Sequence, residues 1–599
     1  MFKWASPDAR AGRKCVKKSS DGGFCSRLAY ALAILLFAAV LTPRVAVAQT
    51  PADIEAARSQ AEIIQRLEQE RLLREQEEAR RRAERVEGVD TKSLEPQIVV
   101  PDIGAPCRDI RTIVINGAPN LRKQVRERII GEFAGRCLNV GDIERILAEI
   151  TRDYIDRGYI TTRAYLPPQD LSKGQLEILV IEGVVERIMI RDGDAHSVSV
   201  GNVFPGVEGD LLNLRDLEQG IDQINRLASN DAKLDIQPGE KPGGSLVVVH
   251  NQPRSRFHLN AAVDNQGSEA TGDVQTGVVA TADHLLGFNE MISISHREST
   301  PGEQGRKHSR SNNLSVSIPF GYTSVFLGAS YSKYASPVIV PSGLELVSSG
   351  TSKTQNVRLD HVVYRDQSTR ALLAATLTAK ESDNFLDGLF LGVSSRRLTI
   401  LDLDGNLNMG VAGGVLSLDF GYARGLDALG ALEDSDGLPD YVPRAQFGKF
   451  KGGFNYSRPF RLLDKAFSLT SQLSAQKAQD TLYGSEQFLI GSVYTVRGFV
   501  NNTLSGDDGY YWRNEIAVRQ PLTVGSETLS TRIYVGYDIG EVWSRVDGNP
   551  EGRLAGRVVG LSLNWRGATV DLFNTQPLTL PDTMIKEPSQ TWFRVAYSL

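Results

Sequence analysis

The sequence predicts a transmembrane β-barrel of about 16 antiparallel strands, preceded by two small α/β modules and a long N-terminal helix. Three observations carry this prediction. A secretory leader opens the chain, no run of 18 or more apolar residues follows it, and from Phe257 to Leu599 short segments alternate apolar and polar residues. An exported chain that enters a membrane without a spanning helix must do so as a closed barrel, because only closure satisfies every backbone polar group.

The leader is read over residues 1–48. Lys3, Arg10, Arg13, Lys14, Lys17, Lys18 and Arg27 precede an apolar run at 28–41, and Ala46-Val47-Ala48 supplies a small-residue cleavage site. That run is about 14 residues, short of the roughly 20 that a membrane-spanning helix needs. The whole chain is formally −5, and the leader's 8 Lys/Arg against 2 Asp/Glu contribute +6, so the mature protein carries −11. An acidic surface of that size argues against nucleic acid as a partner. Of the 4 cysteines, Cys15 and Cys25 leave with the leader. Cys107 and Cys137 remain, and in an oxidising compartment they read as one disulfide, the alternative being two buried thiols. Closing a loop of about 30 residues is worth roughly 3.6 kcal/mol in the chain-entropy model.

Residues 51–87 are dense in Glu, Arg, Gln and Ala, and predict one helix about 50 Å long, enough to thread a barrel. Glu70 with Arg74 and Glu78 with Arg82 have the Glu-first i,i+4 order that supports a helix. Ile54, Ile63, Ile64, Leu67, Leu72 and Leu73 do not sustain a heptad, so a coiled coil is disfavoured and a solvated charged helix is the competing reading. Pro96, Pro101, Gly104 and Pro106 mark a linker over 88–106.

A first module is read over 107–183: a strand at 110–115, a helix at 121–133, a helix capped by Asp142 and stopped by Gly158, and strands at 160–166 and 176–182. Ile143, Ile146, Leu147, Ile150 and Tyr154 give the second helix one apolar face. The order repeats over 184–252, with a strand at 185–190, a loosely helical piece at 198–204, a helix capped by Asn213, and strands at 233–236 and 245–249.

The barrel is read over 256–599. Its 343 residues from Phe257, at about 21 per strand and connection, give about 16 strands. A soluble β-sandwich is the competing fold, and the leader, the length and the aromatic final segment at 591–599 count against it. Within this region Val496-Arg497-Gly498-Phe499 falls in a long Gly/Asn/Asp-rich loop, and Gly536-Tyr537-Asp538-Ile539-Gly540 follows one strand later. In a barrel Arg497 and Asp538 would be a cation and an anion in the lumen, where a bidentate pair is geometrically defined and an unpaired charge is costly.

Other chemistry is poorly supported. Residues 434–440 lack the fifth-position and twelfth-position ligands of a calcium loop and read as an acidic turn. The 7 His show no metal-ligand spacing and there is no Cys-x-x-Cys, so no metal and no cofactor is expected. No nucleophile elbow and no phosphate-binding loop is present, so the chain is not expected to be an enzyme.

The residues also carry a resemblance to a known family. Cys107, Cys137, Arg157-Gly158-Tyr159, Tyr165-Leu166-Pro167-Pro168, Gly174 and Glu182-Gly183 resemble a first POTRA (polypeptide-transport-associated) domain. Leu214-Arg215-Asp216-Leu217-Glu218 with Asn225-Arg226-Leu227 resembles a second, Asp264-Asn265-Gln266-Gly267-Ser268 a first barrel strand, and Asn514-Glu515 the strand after the motif loop. Together they are similar to the TpsB transporters of two-partner secretion, relatives of the barrel-assembly insertases. The resemblance implies an outer-membrane protein with periplasmic POTRA domains that exports a dedicated TpsA-like exoprotein of haemolysin, haemagglutinin or adhesin type. It implies a plug helix at 51–87, a lumen loop tipped by Val496, Arg497, Gly498 and Phe499, and a wall partner in Asp538 between Gly536 and Gly540. Outer-membrane lipid, and during biogenesis the barrel-assembly machinery and periplasmic chaperones, are the other implied partners. An insertase for other barrels is the alternative function, and a passive porin or adhesin fits less well. Leu599 departs from the terminal Phe common in such barrels, with Trp592, Phe593 and Tyr597 beside it.

Overall fold

The computed structural model describes residues 51–83, 106–191, 197–303 and 305–599. The signal peptide read over 1–48, the end of the expected helix at 84–87 and nearly all of the linker at 88–106 lie outside these residues.

In the first module the strands Thr112–Asn116, Gln175–Ile181 and Arg163–Tyr165 form a sheet in that order, the first pair parallel and the second antiparallel. Gln175–Ile181 buries Leu176, Ile178 and Val180 and leaves Glu177 and Leu179 exposed, the alternation of a one-sided sheet. Against it pack Ile129 and Phe133 of helix Lys123–Phe133, and Ile143, Ile146, Ile150 and Tyr154 of helix Val140–Asp156. The cap of the second helix lies three residues before the expected one. Asn139 is the N-cap and Asp142 the N3 residue, their side chains accepting from each other's backbone N–H at 2.9 Å. That reciprocal pair satisfies two orphan donors, where Asp142 alone as cap would satisfy one.

Two short strands, Arg108–Ile110 and Arg136–Leu138, pair with Asp109 opposite Cys137, and a Cys107–Cys137 disulfide with Cα atoms 5.3 Å apart closes this corner. Replacing both cysteines by Ser is expected to lower the stability of the first module by about 3 kcal/mol. Limited proteolysis of the full chain should then show faster cleavage within 107–183 and an unchanged barrel; equal cleavage rates with and without the bridge would refute this.

The second module orders its strands Val184–Arg191, Gly244–Asn251, Ala232–Pro238, around a core that includes Val185, Leu212, Leu217, Ile224 and Val247. Asn213 caps the helix Leu214–Asn225 by accepting from Arg215 N at 2.9 Å. The expected helical piece at 198–204 is a single turn, Val200–Val203. The modules are joined closely: Leu214 N donates to Gly158 O at 2.8 Å, and Leu212 N donates to Gly183 O at 2.9 Å.

The barrel closes from sixteen antiparallel wall strands, running from Phe257–Asp264 to Gln590–Ser598, with a two-residue ribbon, Leu389–Phe390, folded back on Thr369–Leu386. First and last strands meet with Asp264 opposite Arg594 and Asn260 opposite Ser598, and Leu259 and Leu599 exchange backbone hydrogen bonds. Leu599, with an exposed side chain, is thus part of the seam. Along Glu527–Trp543 the side chains of Ile533, Val535 and Tyr537 face outward, while Tyr534 and Asp538 are buried inside.

One face of the helix Leu214–Asn225 docks the second module onto one end of the barrel. Gln219 and Gln223 donate to Gly321 O at 3.2 and 3.1 Å, Tyr322 donates to Asp216 at 2.7 Å, and Arg365 pairs with Asp222 at 2.7 Å. Arg226, just beyond the helix, donates to Ser317 Oγ at 2.6 Å and Asn289 O at 3.1 Å. Burial pulls the Arg226 guanidinium down to about 10, opposed by the charge of Asp283, and burial raises the carboxyls of Asp216 and Asp222. These contacts define the module end of the barrel; the opposite ends of the same strands form the far end.

Candidate functional site in the barrel lumen

Two elements occupy the lumen. The first is the helix Pro51–Ala83, with Ala57, Ala61 and Ile64 buried. Asp53 accepts from Ser342 N, in a far-end turn, at 3.2 Å. Further along, Gln60 donates to Ser336 Oγ at 2.8 Å, Gln65 to Asn384 Oδ1 at 2.9 Å and Arg71 to Ser311 Oγ at 2.9 Å, and Arg74 bonds the Tyr511 hydroxyl. The helix therefore lies with its N-terminus at the far end and runs toward the module end. Its polar composition follows from this, since its charged side chains are satisfied by a polar wall rather than by water alone.

The second element is the far-end connection between wall strands Lys465–Ala478 and Asp508–Val524, which turns inward and contains a small ribbon, Phe488–Ile490 paired with Leu504–Gly506. Its base is fixed by Glu486, which bonds Lys380 at 2.6 Å and Lys449 at 3.1 Å. Asp507 fixes the other side, accepting from Leu482 N at 2.7 Å and Arg545 N at 2.8 Å. Helix and loop meet where Arg66 donates to Ser485 O at 3.0 Å and Arg396 pairs with Glu62 at 2.9 Å while covering the Tyr483 ring at 4.2 Å.

The loop tip is Val496-Arg497-Gly498-Phe499. Arg497 is 5% exposed and Asp538, on the facing wall strand Glu527–Trp543, is 1% exposed. The guanidinium grips the carboxylate through Nε to Oδ2 at 2.6 Å and Nη2 to Oδ1 at 2.9 Å, and the Arg497 backbone N–H adds a third bond to Oδ2 at 3.1 Å. Its remaining Nη1 donates to Glu515 Oε2 at 3.0 Å, and Glu515 is also held by Arg532. One cation thus satisfies two acids from adjacent wall strands, a charge-assisted arrangement whose bidentate half fixes orientation as well as distance.

Val496 and Phe499 flank the arginine and are buried with Phe488, Ile490, Leu504, Tyr511, Val542 and Leu554 in an apolar cluster inside the lumen. The glycines explain how the tip comes so near the wall. A Cβ on Gly536 would stand 2.8 Å from Arg497 Nη2, and one on Gly540 would stand 2.9 Å from Val496 Cγ2. Gly498 has φ +125° and lies against Gln576, a backbone position that only glycine occupies without strain.

The wall supplies further residues that carry no mark in the sequence motif. A Cβ on Gly556 would overlap the carbonyl oxygen of Arg497. Glu587, in the last far-end connection, accepts from the backbone N–H groups of Val500 and Asn502 at 2.8 and 2.6 Å and of Asn501 at 3.2 Å. Arg513 donates to Tyr494 O at 2.7 Å. Of these, Arg513 has a sequence signal: outward Trp512 and Ile516 fix the phase of its strand and place 513 inside, on the same side as Glu515 of the Asn514-Glu515 pair. Among the described residues no cluster of His, Cys, Asp and Glu could hold a metal ion. Asp434, in the acidic turn, instead accepts from Ala445 N and Gln446 N at 2.7 and 2.8 Å.

The chain matches known proteins over most of its length. The family described as haemolysin secretion/activation protein ShlB/FhaC/HecB matches residues 243–563, the ShlB-type POTRA domain 109–183, and a further POTRA domain 184–238. The chain is 33% identical over 500 residues to the outer membrane transporter CdiB of Escherichia coli, covering 82% of each. It is 32% identical over 496 residues to the hemolysin transporter protein ShlB of Serratia marcescens, covering 82% of this chain and 86% of that one. The solved structure of CdiB from Escherichia coli matches with a TM-score of 0.81 at 30% identity, covering 92% of this chain and 100% of that one. CdiB from Acinetobacter baumannii, 23% identical with a TM-score of 0.75 and covering 92% of this chain and 100% of that one, shares the fold.

Proposed function

The chain belongs to the haemolysin secretion/activation family, ShlB/FhaC/HecB, and from that premise we propose that the lumen loop and its wall partners hold the pore in its transport-ready pose. The protein is an outer-membrane transporter of two-partner secretion, with its POTRA domains in the periplasm and the far end of the barrel at the cell surface. Its partner is a dedicated exoprotein, as the names of its hemolysin-transporting and CdiB relatives imply. A secretion channel is not an enzyme class, and the insertase alternative has less support.

The observation that carries the reading is the lumen itself: a closed barrel with docked periplasmic modules, and an interior occupied by a helix held through polar and ionic contacts and by a loop whose tip is held by a buried ion pair in an apolar cluster. The helix's contacts can be exchanged for others at modest cost, whereas the loop tip is held more firmly. In this reading the POTRA domains receive the exoprotein unfolded and pair with it through sheet edges, and the barrel conducts it outward. Arg497 and Asp538 lock the loop, and the helix 51–83 plugs the pore until a partner arrives. Folding of the exported chain outside supplies the drive; release at normal rate of a partner that cannot fold at the surface would rule this out. The barrel-assembly machinery and periplasmic chaperones deliver the protein to its membrane.

The test is secretion of a large neighbouring exoprotein from cells with and without this protein, with blots of other outer-membrane barrels alongside. Loss of that one exoprotein is the expected outcome. A general fall in barrels would instead favour the insertase.

A further inference from the structure

The outward face of the barrel changes chemistry toward the cell-surface end, between wall strands Met291–Ser299 and Arg396–Val411. Lower on these strands the outward residues are apolar and exposed, among them Ile294, Leu314, Leu327, Val357 and Leu377. Four to six residues further along the same alternation come Glu298, Arg310, Lys333, Lys353, Glu381 and Arg397.

Register sets these six in one staggered row, with a two-residue step in the middle where Lys333 is opposite Thr351 and Lys353 opposite Tyr331. Glu298 is opposite Arg310, Arg310 opposite Lys333, Lys353 opposite Glu381, and Glu381 opposite Arg397. Glu298 reaches Arg310 at 3.5 Å, and Glu381 is shared between Lys353 at 3.0 Å and Arg397 at 3.4 Å. Four cations therefore pair with two carboxylates, Glu298 also lies 3.6 Å from His296, Asp383 on the same face adds a further acid near Lys353, and among the described residues Lys333 forms no ion pair with a carboxylate. Like charges directly across a strand pair repel, so Arg310 opposite Lys333 is unfavourable unless an anion lies between them. Both side chains are exposed, and their long stems can follow the apolar wall while the charged ends reach the headgroup level.

We propose that this row docks the phosphorylated headgroup of an outer-leaflet glycolipid. The inference rests on the outer-membrane placement of the barrel. A phosphate seated at Arg310 and Lys333 converts their repulsion into two charge-assisted pairs, while the acyl chains of the same molecule cover Leu314, Leu327 and Val357 below. Free phosphate would offer the first interaction without the second, and this separates the lipid from its headgroup chemistry alone.

The test uses the full chain in detergent, with native mass spectrometry and titration against three probes: di-phosphorylated lipid A, its dephosphorylated form, and inorganic pyrophosphate. The triple variant Arg310→Gln/Lys333→Gln/Lys353→Gln should bind the di-phosphorylated lipid roughly 100-fold more weakly, at about a factor of five for each cation removed. Lys333→Gln alone should lose about fivefold. Binding of the dephosphorylated form should not change. Equal binding of the phosphorylated lipid by parent and variants would overturn the site, and pyrophosphate binding as tightly as the lipid would overturn the lipid as its occupant. Membrane fractionation of the parent protein is read separately, because absence from the outer membrane would sink the placement and not the phosphate chemistry.

Discussion

Arg497→Ala is expected to reduce secretion of the partner exoprotein by roughly tenfold or more, while the barrel stays folded and inserted. The guanidinium makes three side-chain bonds, two to Asp538 and one to Glu515; its loss leaves buried Asp538 with only Arg513 as a cation, at 4.0 Å, and half-buried Glu515 with Arg532. Removing one partner of a buried ion pair typically costs about 3–5 kcal/mol, because the charge left behind stays desolvated. That cost falls on the loop. Each wall strand is hydrogen-bonded to both neighbours whether or not the tip is docked, and Glu486 and Asp507 still hold the base. Heat-modifiable migration and membrane abundance should therefore match the parent while export falls. Asp538→Asn should have a smaller effect, since the amide keeps the shape and Arg497 keeps Glu515. Loss of the R497A barrel from the membrane would make the pair a folding element, and undiminished secretion would show that the docked pose does not matter.

The fold was legible in the sequence because its signals are local. Period-two alternation, a leader with a short apolar run and turn-forming residues between segments each report on a few neighbouring positions, and together they leave a barrel as the membrane solution. Segment ends were less legible. Asn139 and Asp142 are both good helix-start residues, and only the reciprocal bonds decide which is the cap. The strand expected over 160–166 is reduced to Arg163–Tyr165, since Tyr159 to Thr162 turn back on the helix end and Pro167 cannot extend the ladder. The surroundings of Arg497 were the least legible. Glu515, Gly556 and Glu587 lie 18, 59 and 90 residues away along the chain, and which of them faces the tip is fixed by register across several strands. A one-residue slip would turn Glu515 and Gly556 to the opposite face of the wall, while Glu587 is placed by the connection that carries it.

Gly556 permits a sharper test of the same pose, because it leaves every charge in place. In the strand Gly552–Trp565 it is opposite Asp538 on one side and Pro577 on the other, and a side chain there would occupy the space of the Arg497 carbonyl. Gly556 sits at a bulge opposite Pro577, but the strand is laddered to both neighbours beyond that point, so the loop is expected to give way first. Gly556→Val should therefore displace Arg497 from Asp538 and Glu515 with all three present, and secretion should fall about as far as in Arg497→Ala, roughly tenfold or more. The two changes act on one contact, so the double variant should be little worse than either alone. Gly536→Ala, whose Cβ would meet the flexible end of Arg497 at 2.8 Å and Asn514 O at 2.8 Å, should be milder. Normal export by Gly556→Val would mean that transport does not depend on the tip's close seat against the wall. A double variant far worse than both singles would separate the steric fit from the ion pair and assign them different tasks.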